Sequence, residues 1–473
     1  MDRLRALDLA FLDLETSQAP LQVGWTLRLG GRPPSLAALR RHLDARLHAV
    51  PRFRRRLASA PLTLGDQLWA DDVAFDIGRH VHAVRVPAPG GTAQLRETAS
   101  ALLSPVLPVD RPLWSMHLVD GLADGWALVG QVHHALVDGV AAVELALLLF
   151  DGLDQPGAGA AWRPEPPPAL HRLAAHAAAH RVRGAAGLAR SAARALAAGD
   201  PVDAARDASR AMESALRPAG PTSLAGGATA RRAVAWASTP FDAAQEAGRR
   251  HGATVNDVLL AAATSAMAAA LHRRGERPAA VKALVPVNVR DGAQTGGAGN
   301  HISFLPVDLP VGEPDPVVAL RRISARTKAA KARGEARPLA ALAQAADLLP
   351  AGPRRALTRT AARAVSFSVV VSNVPGPPVD LALLGRPLEA ILPMVPLLHG
   401  QALTIGALSY RGRLHLGLAA DEVAVPDVVD VARDLERAFD VLRVAGPPVP
   451  PPWRARARER RAARRAVQPA ASR

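Results

Sequence analysis

The sequence predicts an α/β protein with two core-bearing halves, and three observations lead to this fold class. The chain has 473 residues, which is enough for more than one hydrophobic core. Runs rich in β-branched residues alternate with runs of helical periodicity in both halves. A stretch rich in Pro, Gly and Ala, residues 155–168, separates the halves and is typical of a linker.

The first predicted domain, residues 1–155, contains three strand-like runs and a helix opened by Ser35. A serine directly before an amphipathic run accepts the first free N–H groups of a helix, so a helix is predicted over residues 35–47. The predicted strands are residues 23–29, 80–86 and 126–132.

Residues 156–228 are predicted to form an insert between the domains. Its Ala- and Arg-rich part, residues 171–216, favours two amphipathic helices interrupted at residues 199–201. Two interpretations stay open: a crossover packed on the surface, or a segment that faces a membrane or covers a channel.

The second predicted domain covers residues 229–445. Its predicted strands are residues 281–289, 302–309 and 365–371, followed by a hairpin over residues 402–419 with its turn near Arg411 and a closing helix over residues 427–442. Residues 446–473 combine a proline stretch with an Arg-rich end and are predicted to be disordered. Trp453 in this tail is a hypothetical membrane anchor.

The candidate catalytic residues lie in residues 133–139, which read His-His-Ala-Leu-Val-Asp-Gly. The predicted strand 126–132 precedes them, and an apolar run over residues 139–150 predicts a helix that Asp138 would cap. Neutral imidazole exchanges a proton near neutral pH, so a rigidly held histidine here predicts general-base chemistry. The alternative is that both histidines are structural and Asp138 only caps the helix.

These residues resemble the active-site motif of the bacterial wax ester synthase/diacylglycerol acyltransferase family, in the coenzyme A-dependent acyltransferase superfamily. Other segments resemble the family's motifs in the expected order: residues 7–15 with 22–24, 112–114, 255–261, 285–290, 299–300 and 371–377. The resemblance implies two chloramphenicol-acetyltransferase-like domains with mixed sheets flanked by helices and an active-site channel at their interface.

The resemblance also implies roles for individual residues. His134 is expected to be the general base, His133 a supporting residue, and Asp138 a residue that orders the site. Arg290 is a candidate partner of Asp138 on motif position alone. Further residues are expected to shape the substrate channel: Trp114, Asn256, Asp257, Ser372 and Asn373. Asn256 and Asp257 could equally be helix caps, and Ser372 and Asn373 could equally be turn formers.

The reaction implied by the resemblance joins acyl-CoA and a long-chain alcohol or diacylglycerol in a ternary complex at His134. The composition fits direct transfer, because the chain has no cysteine and no serine in a Gly-x-Ser-x-Gly elbow. No metal site and no cofactor besides the co-substrate acyl-CoA are expected. Two alternatives stay open: an enzyme of the same fold that uses a carrier-bound donor, as condensation domains do, and a non-catalytic lipid-droplet coat protein.

The net charge of +16 calls for an anionic partner or a compositional bias toward arginine. Nucleic acid is disfavoured because aromatic residues make up only 3% and no nucleic-acid-binding motif stands out. An anionic membrane or lipid-droplet surface is the preferred partner. Neither a signal peptide nor a membrane-spanning run stands out, so a cytoplasmic protein peripherally associated with such a surface is expected. The preferred acceptor and the oligomeric state do not follow from the sequence.

Overall fold

A computed structural model describes most of the chain. The described residues are 2–4, 6–59, 67–136, 149–151, 162–165, 169–197, 209, 213, 216–218, 220–226, 229–288, 302–333, 346–365 and 367–446. The described α-helices are α1 (Ala6–Leu14), α2 (Leu36–Asp44), α3 (Thr92–Leu103), α4 (Leu170–Ala197), α5 (Phe241–His251), α6 (Val255–Arg273), α7 (Pro316–Ala332), α8 (Ala351–Ala364) and α9 (Val428–Val444).

The strands form two large sheets and one small one. In chain order the strands are β1 (Asp2–Arg3), β2 (Gln22–Leu29), β3 (Arg55–Ser59), β4 (Gln67–Asp71), β5 (Val81–Arg85), β6 (Trp114–Asp120), β7 (Trp126–His133), β8 (Arg232–Pro240), β9 (Val281–Asn288), β10 (Ile302–Leu309), β11 (Val369–Val374), β12 (Ala382–Leu383), β13 (Arg386–Met394), β14 (Leu403–Tyr410) and β15 (Arg413–Asp421). The small sheet has the order β1-β4-β3.

The first large sheet has the order β12-β13-β2-β7-β6-β5 and carries the two histidines at the end of β7. Every residue of β7 is buried, and β2 and β6 pair with it on its two sides. β12 and β13 come from the second half of the chain, and β13 pairs antiparallel with β2. The two halves are therefore joined by shared backbone hydrogen bonds as well as by side-chain packing.

The second large sheet has the order β10-β9-β11-β14-β15-β8. Its hairpin β14–β15 turns at Arg411 and Gly412, whose φ angles are 47° and 70°. Two successive residues with positive φ are the geometry that suits the right-handed twist of a two-residue hairpin, so the predicted hairpin and its turn are confirmed.

Three apolar clusters hold this architecture together. One fills the second half between its sheet and helices α5, α6, α7 and α9, and another fills the first half around β2, β6 and β7. The third joins the halves, because α3, β6 and β7 contribute side chains that meet Val234, Met394 and Ala419. The two large sheets approach closely at Gly417, where an added Cβ would collide with the Pro393 carbonyl.

The same junction protects the outer edge of β8. This strand ends the second sheet, so part of its backbone N–H groups have no neighbouring strand to bind. Ser104, directly after α3, and Ser100, within α3, accept hydrogen bonds from the N–H groups of Arg232 and Val234 respectively, each at 3.0 Å. Two serine hydroxyls thus replace the missing strand and fix α3 against the other half.

Most predicted elements are confirmed within a few residues, and some lie outside the described residues. Ser35 caps α2 by accepting from the N–H of Ala38 at 3.2 Å, as predicted. The first predicted insert helix is α4, whereas the second falls mainly on residues that are not described. The predicted helix 139–150, apart from its last two residues, and the tail from residue 447 also lie outside them. The predicted domain boundaries stay predictions.

Helix α6 is the one helix in the described part of the chain that is long and apolar enough to cross a membrane. The match is weak because 67% of its most apolar window is buried inside the protein, as expected of a core helix. Its N-terminus is built by Asp257, a predicted channel residue. Asp257 accepts hydrogen bonds from the Thr254 N–H at 2.9 Å and the Thr254 hydroxyl at 2.8 Å, and its second oxygen accepts from Thr327 of α7 at 2.7 Å.

The first prediction concerns the stability of this helix junction. Asp257→Ala removes the carboxylate that completes the capping box of α6 and leaves the Thr327 hydroxyl with the Ser324 carbonyl as its remaining acceptor, so we expect a loss of about 2 kcal/mol in the free energy of unfolding. Urea titration measures the loss. Asp315→Ala is the control, because Asp315 caps α7 from an exposed position, and a loss of only about 1 kcal/mol is expected there. Equal losses in both variants would contradict the bridging role of Asp257.

Candidate active site

The backbone of the histidine pair is fixed on both sides by neighbouring strands. His133 is the last residue of β7, and its N–H donates to the Leu113 carbonyl at 2.9 Å. The next N–H, that of His134, donates to the Leu21 carbonyl at 2.9 Å. Leu113 precedes β6 and Leu21 precedes β2, so the chain is held in the sheet up to the residue where it turns away.

The buried ring of His133 supports the turn that follows it. Its Nδ1 accepts a hydrogen bond from the Ala135 N–H at 3.0 Å, so Nδ1 carries no proton and the neutral ring is protonated at Nε2. That Nε2 lies 3.3 Å from Glu15 Oε1. The ring therefore connects a carboxylate on one side with the backbone just beyond His134 on the other.

Glu15 completes a closed set of polar contacts around the histidine pair. Its Oε1 also accepts the Leu21 N–H at 3.0 Å, and Leu21 in turn holds His134 through its carbonyl. Burial raises the pKa of Glu15, but the contact with His133 and the Leu21 N–H outweigh burial and hold the pKa below its usual value. The carboxylate is therefore ionised at neutral pH and stabilises the Nε2–H form of His133.

The ring of His134 stacks on Phe11 of α1. The ring centroids are 3.8 Å apart and the planes are inclined by 19°. Nδ1 is buried and has no hydrogen-bond partner among the described residues. Burial lowers the pKa of His134 to about 4; His133 acts in the same direction and the backbone carbonyl of His134 opposes it. At neutral pH the ring is therefore uncharged and has a nitrogen lone pair able to take a proton.

Sequence reasoning identified the histidines but not the two residues of the N-terminal segment that contact them. Phe11 and Glu15 lie in the quoted N-terminal segment 7–15, where no role was assigned to them. A usable signal was present: an aromatic residue and a carboxylate four positions apart at the end of a short helix project to the same side. Their partners, more than a hundred residues later, could not be read from local pattern.

Trp114 is a core residue in this structure. It is 1% exposed, stacks on His80 with centroids 4.5 Å apart, and donates from Nε1 to the Phe53 carbonyl at 2.8 Å. It also borders a cavity of about 280 Å³ whose lining includes Ser115 and Gln131. Gln131 precedes His133 by two residues on the same face of β7, but neither histidine is among the residues that line this cavity.

The remaining predicted site residues are divided between described and undescribed parts of the chain. Asn256 is half-buried in the first turn of α6, next to the capping carboxylate of Asp257. Ser372 and Asn373 are half-buried within β11, paired with β14, rather than in a turn. The remaining two, Asp138 and Arg290, lie outside the described residues. Within the described ranges, no three His, Asp or Glu side chains are grouped to hold a metal ion.

Two family models match this chain. The wax ester synthase/diacylglycerol acyltransferase catalytic domain matches residues 4–259, and the C-terminal domain of the same family matches residues 298–443.

The chain belongs to the wax ester synthase/diacylglycerol acyltransferase family.

Individual relatives agree with this membership. The chain is 32% identical over 447 residues to the Mycobacterium tuberculosis (strain ATCC 25618 / H37Rv) protein named "Probable diacyglycerol O-acyltransferase tgs1", covering 93% of this chain and 95% of the relative. The solved wax ester synthase/diacylglycerol acyltransferase of Marinobacter aquaeolei VT8 is 25% identical, with a TM-score of 0.66 and coverage of 94% of this chain and 99% of that one.

A more distant structure shares the fold. The first condensation domain of the CDA synthetase is 19% identical, with a TM-score of 0.58 and coverage of 93% of this chain and 95% of that one. These matches confirm the resemblance and the two-domain α/β fold class predicted from the sequence. Membership of the wax ester synthase/diacylglycerol acyltransferase family makes the protein an acyltransferase and removes the basis for the non-catalytic alternative.

The second prediction tests the contacts of Glu15. Glu15→Gln keeps an oxygen for the Leu21 N–H but removes the charge beside His133, so we expect a loss in kcat of about tenfold or less. Glu15→Leu removes both acceptors and leaves a buried N–H unpaired, so kcat and the free energy of unfolding should both fall, the latter by about 1–3 kcal/mol. Steady-state kinetics and urea titration measure the two effects. Glu97→Gln, at an exposed position of α3, is the control. Equal activity in the Gln and Leu variants would contradict the support role of Glu15.

Proposed function

We propose that this acyltransferase transfers a fatty acyl group from acyl-CoA to the hydroxyl of diacylglycerol or a long-chain alcohol, with His134 as general base. The observation that carries the proposal is the neutral, half-buried imidazole of His134, fixed at the end of β7 and stacked on Phe11. The names of the M. tuberculosis and Marinobacter relatives support the acceptor classes.

The proposed reaction proceeds in two proton transfers without a covalent enzyme intermediate. A ring nitrogen of His134 takes the hydroxyl proton while the hydroxyl oxygen forms a bond to the thioester carbonyl carbon. The tetrahedral oxyanion then collapses, the carbon–sulfur bond breaks, and the imidazolium gives its proton to the departing thiolate. The products are an ester and free CoA, and His134 returns to its neutral form.

The lowered pKa of His134 suits the second proton transfer. A ring with a pKa of about 4 is neutral, and able to act as a base, at every pH well above that value. It is a weak base, but once protonated it is a strong acid and returns the proton readily to the thiolate. Stacking on Phe11 and exclusion of water lower the pKa of His134. The protonated ring therefore gives its proton readily to the thiolate leaving group.

A carrier-bound acyl donor is the second candidate. Its support is the shared fold of the condensation domain, which is a likeness of architecture at 19% identity. Family membership favours acyl-CoA. Parallel assays with one labelled acyl group, presented either on CoA or on an acyl carrier protein and offered hexadecanol and dioleoylglycerol, separate the donors and the acceptors.

The third prediction tests the base. His134→Ala should lower kcat by at least about a hundredfold while the protein stays folded, because no other group takes the hydroxyl proton. In the wild type, kcat/KM should fall on acidification with a midpoint near 4, where the ring becomes protonated, rather than near 6.5. His272→Ala, at an exposed position of α6, is the control. Near-normal turnover by His134→Ala would overturn the mechanism.

The proposed location is cytoplasmic, at an anionic membrane or lipid-droplet surface where a lipid acceptor is present. Helix α4 supports this part of the proposal, because its 28 residues include five arginines and no acidic residue. Arg172, Arg183 and Arg190 are exposed, and Val182 between them is 69% exposed. Basic groups beside an exposed apolar side chain suit an anionic lipid interface, where each contributes about 1 kcal/mol.

The fourth prediction concerns lipid binding. Arg172→Glu/Arg183→Glu/Arg190→Glu should lower partitioning to phosphatidylcholine vesicles containing phosphatidylglycerol by about tenfold or more, and should not change the weaker binding to pure phosphatidylcholine. The control carries the same charge change at other exposed arginines: Arg85→Glu/Arg433→Glu/Arg437→Glu. Deletion of residues 446–473 measures the contribution of the tail. Unchanged partitioning in the α4 variant would contradict the role of this helix.

A further inference from the structure

We infer that Asp13 and Arg354 are positioning residues that hold α1 against α8 and thereby keep Phe11 stacked on His134. The inference rests on the proposed function for the role of His134 as base, and it adds a device from the second half of the chain that sets the geometry of this base.

Helix α1 contacts different partners on different sides. Phe11 lies against the ring of His134, and Glu15, four residues later, faces His133. Asp13 lies between them in sequence and projects from another side of the helix, because residues two apart on a helix are about 200° apart around its axis. Its partners are on α8. Helix α1 is thus placed between the histidine pair and α8.

Asp13 is held by three arginines of one helix. Arg354 Nε donates to Asp13 Oδ2 at 2.9 Å, Arg355 Nε donates to Oδ1 at 3.3 Å, and Arg359 Nε donates to the Asp13 backbone carbonyl at 2.9 Å. Asp13 and Arg354 are each 2% exposed. Both side-chain oxygens and the main chain of the same residue are therefore fixed from α8.

A buried ion pair of this kind is better suited to fixing geometry than to adding stability. The cost of removing two charges from water offsets most of their attraction, although loss of one partner is strongly destabilising. The pair also joins residues 341 positions apart, one in each half of the protein. Correct placement of the base therefore depends on the association of the two halves.

The charges around His134 agree with a role for α1 in excluding water rather than in supplying a charge. The titratable residue next to His134 in the chain is His133 at the end of β7, and the acidic residues of the α1 segment are Asp8 and Asp13 within the helix and Glu15 directly after it. Asp13 is neutralised by arginines of α8 and Glu15 contacts His133. The apolar ring of Phe11 stacks directly on the His134 ring. If α1 moves away, water reaches the ring and its pKa returns toward 6.5.

The fifth prediction compares Asp13→Asn, Arg354→Met and Phe11→Ala with Asp427→Asn. Asp427 forms ion pairs between α9 and α6, within the second half, and its loss should cost stability without moving α1. The three α1 and α8 variants should lower kcat by about ten- to a hundredfold, with KM changed by less than about threefold, because a small displacement of the base suffices for such losses. The pH midpoint at which kcat/KM falls on acidification, here called the acid limb, should move from near 4 toward 6.5 in these variants. It should not move in Asp427→Asn.

Arg355→Ala keeps the test valid if the buried variants fail to fold. Arg355 is half-exposed and binds the same carboxylate, so its loss should leave the fold intact and move the acid limb by a smaller amount in the same direction. A wild-type acid limb in all folded variants would overturn the inference, as would equal shifts in Asp427→Asn.

The pKa of the His134 ring, followed by NMR on histidine-labelled protein, separates this inference from the proposed function. His134→Gln assigns the resonance. The kinetics of His134→Ala test the proposed function, because they stay near normal if His134 is not the base. The ring pKa in Asp13→Asn tests the inference, because it rises if Asp13 positions α1, whether or not His134 is the base. A ring pKa unchanged in Asp13→Asn and Arg354→Met overturns the inference whatever the kinetics show.

Discussion

The arrangement of the active site depends on the hydrogen bond from the His134 N–H to the Leu21 carbonyl. This bond extends the pairing of β7 with β2 by one residue past the sheet, so the imidazole leaves a rigid edge rather than a free loop. Glu15 reinforces it by accepting the Leu21 N–H and facing His133. A rigid backbone suits the role proposed for His134, because a general base works only when its nitrogen is already within reach of the reacting hydroxyl.

The same constraint explains why the site combines an apolar contact with a charged network. Phe11 covers one face of the His134 ring, so the ring loses the water that would stabilise its protonated form. The charged groups contact neighbouring residues rather than the His134 ring. Glu15 lies against His133 and fixes the backbone of the histidine pair, and the Asp13–Arg354 ion pair fixes the position of α1. Because the orienting charges do not contact the His134 ring, the protein holds this imidazole firmly without raising its pKa.

Local pattern predicted many of the helices and strands, and it singled out the histidine motif as the candidate site. Ser35 predicted the start of α2, and Arg411 and Gly412 predicted the hairpin turn. The apolar, β-prone run before the histidines predicted β7. Long-range contacts could not be predicted in this way. The Asp13–Arg354 pair joins residues 341 positions apart, and the sequence around one residue contains no signal that predicts the other as its partner. Trp114 stacks on His80 and donates to the Phe53 carbonyl in the core, and it also borders a cavity, so its channel role stays a prediction.

The transfer of β13 into the first sheet has a consequence for biosynthesis. β2 precedes β13 by more than 350 residues, so its outer edge stays unpaired while most of the chain is still being translated. An open strand edge is a template for association with other nascent chains. The N-terminal half therefore cannot complete its sheet until residue 394 has left the ribosome, and a truncated product ending before β13 is expected to depend on chaperones or to aggregate.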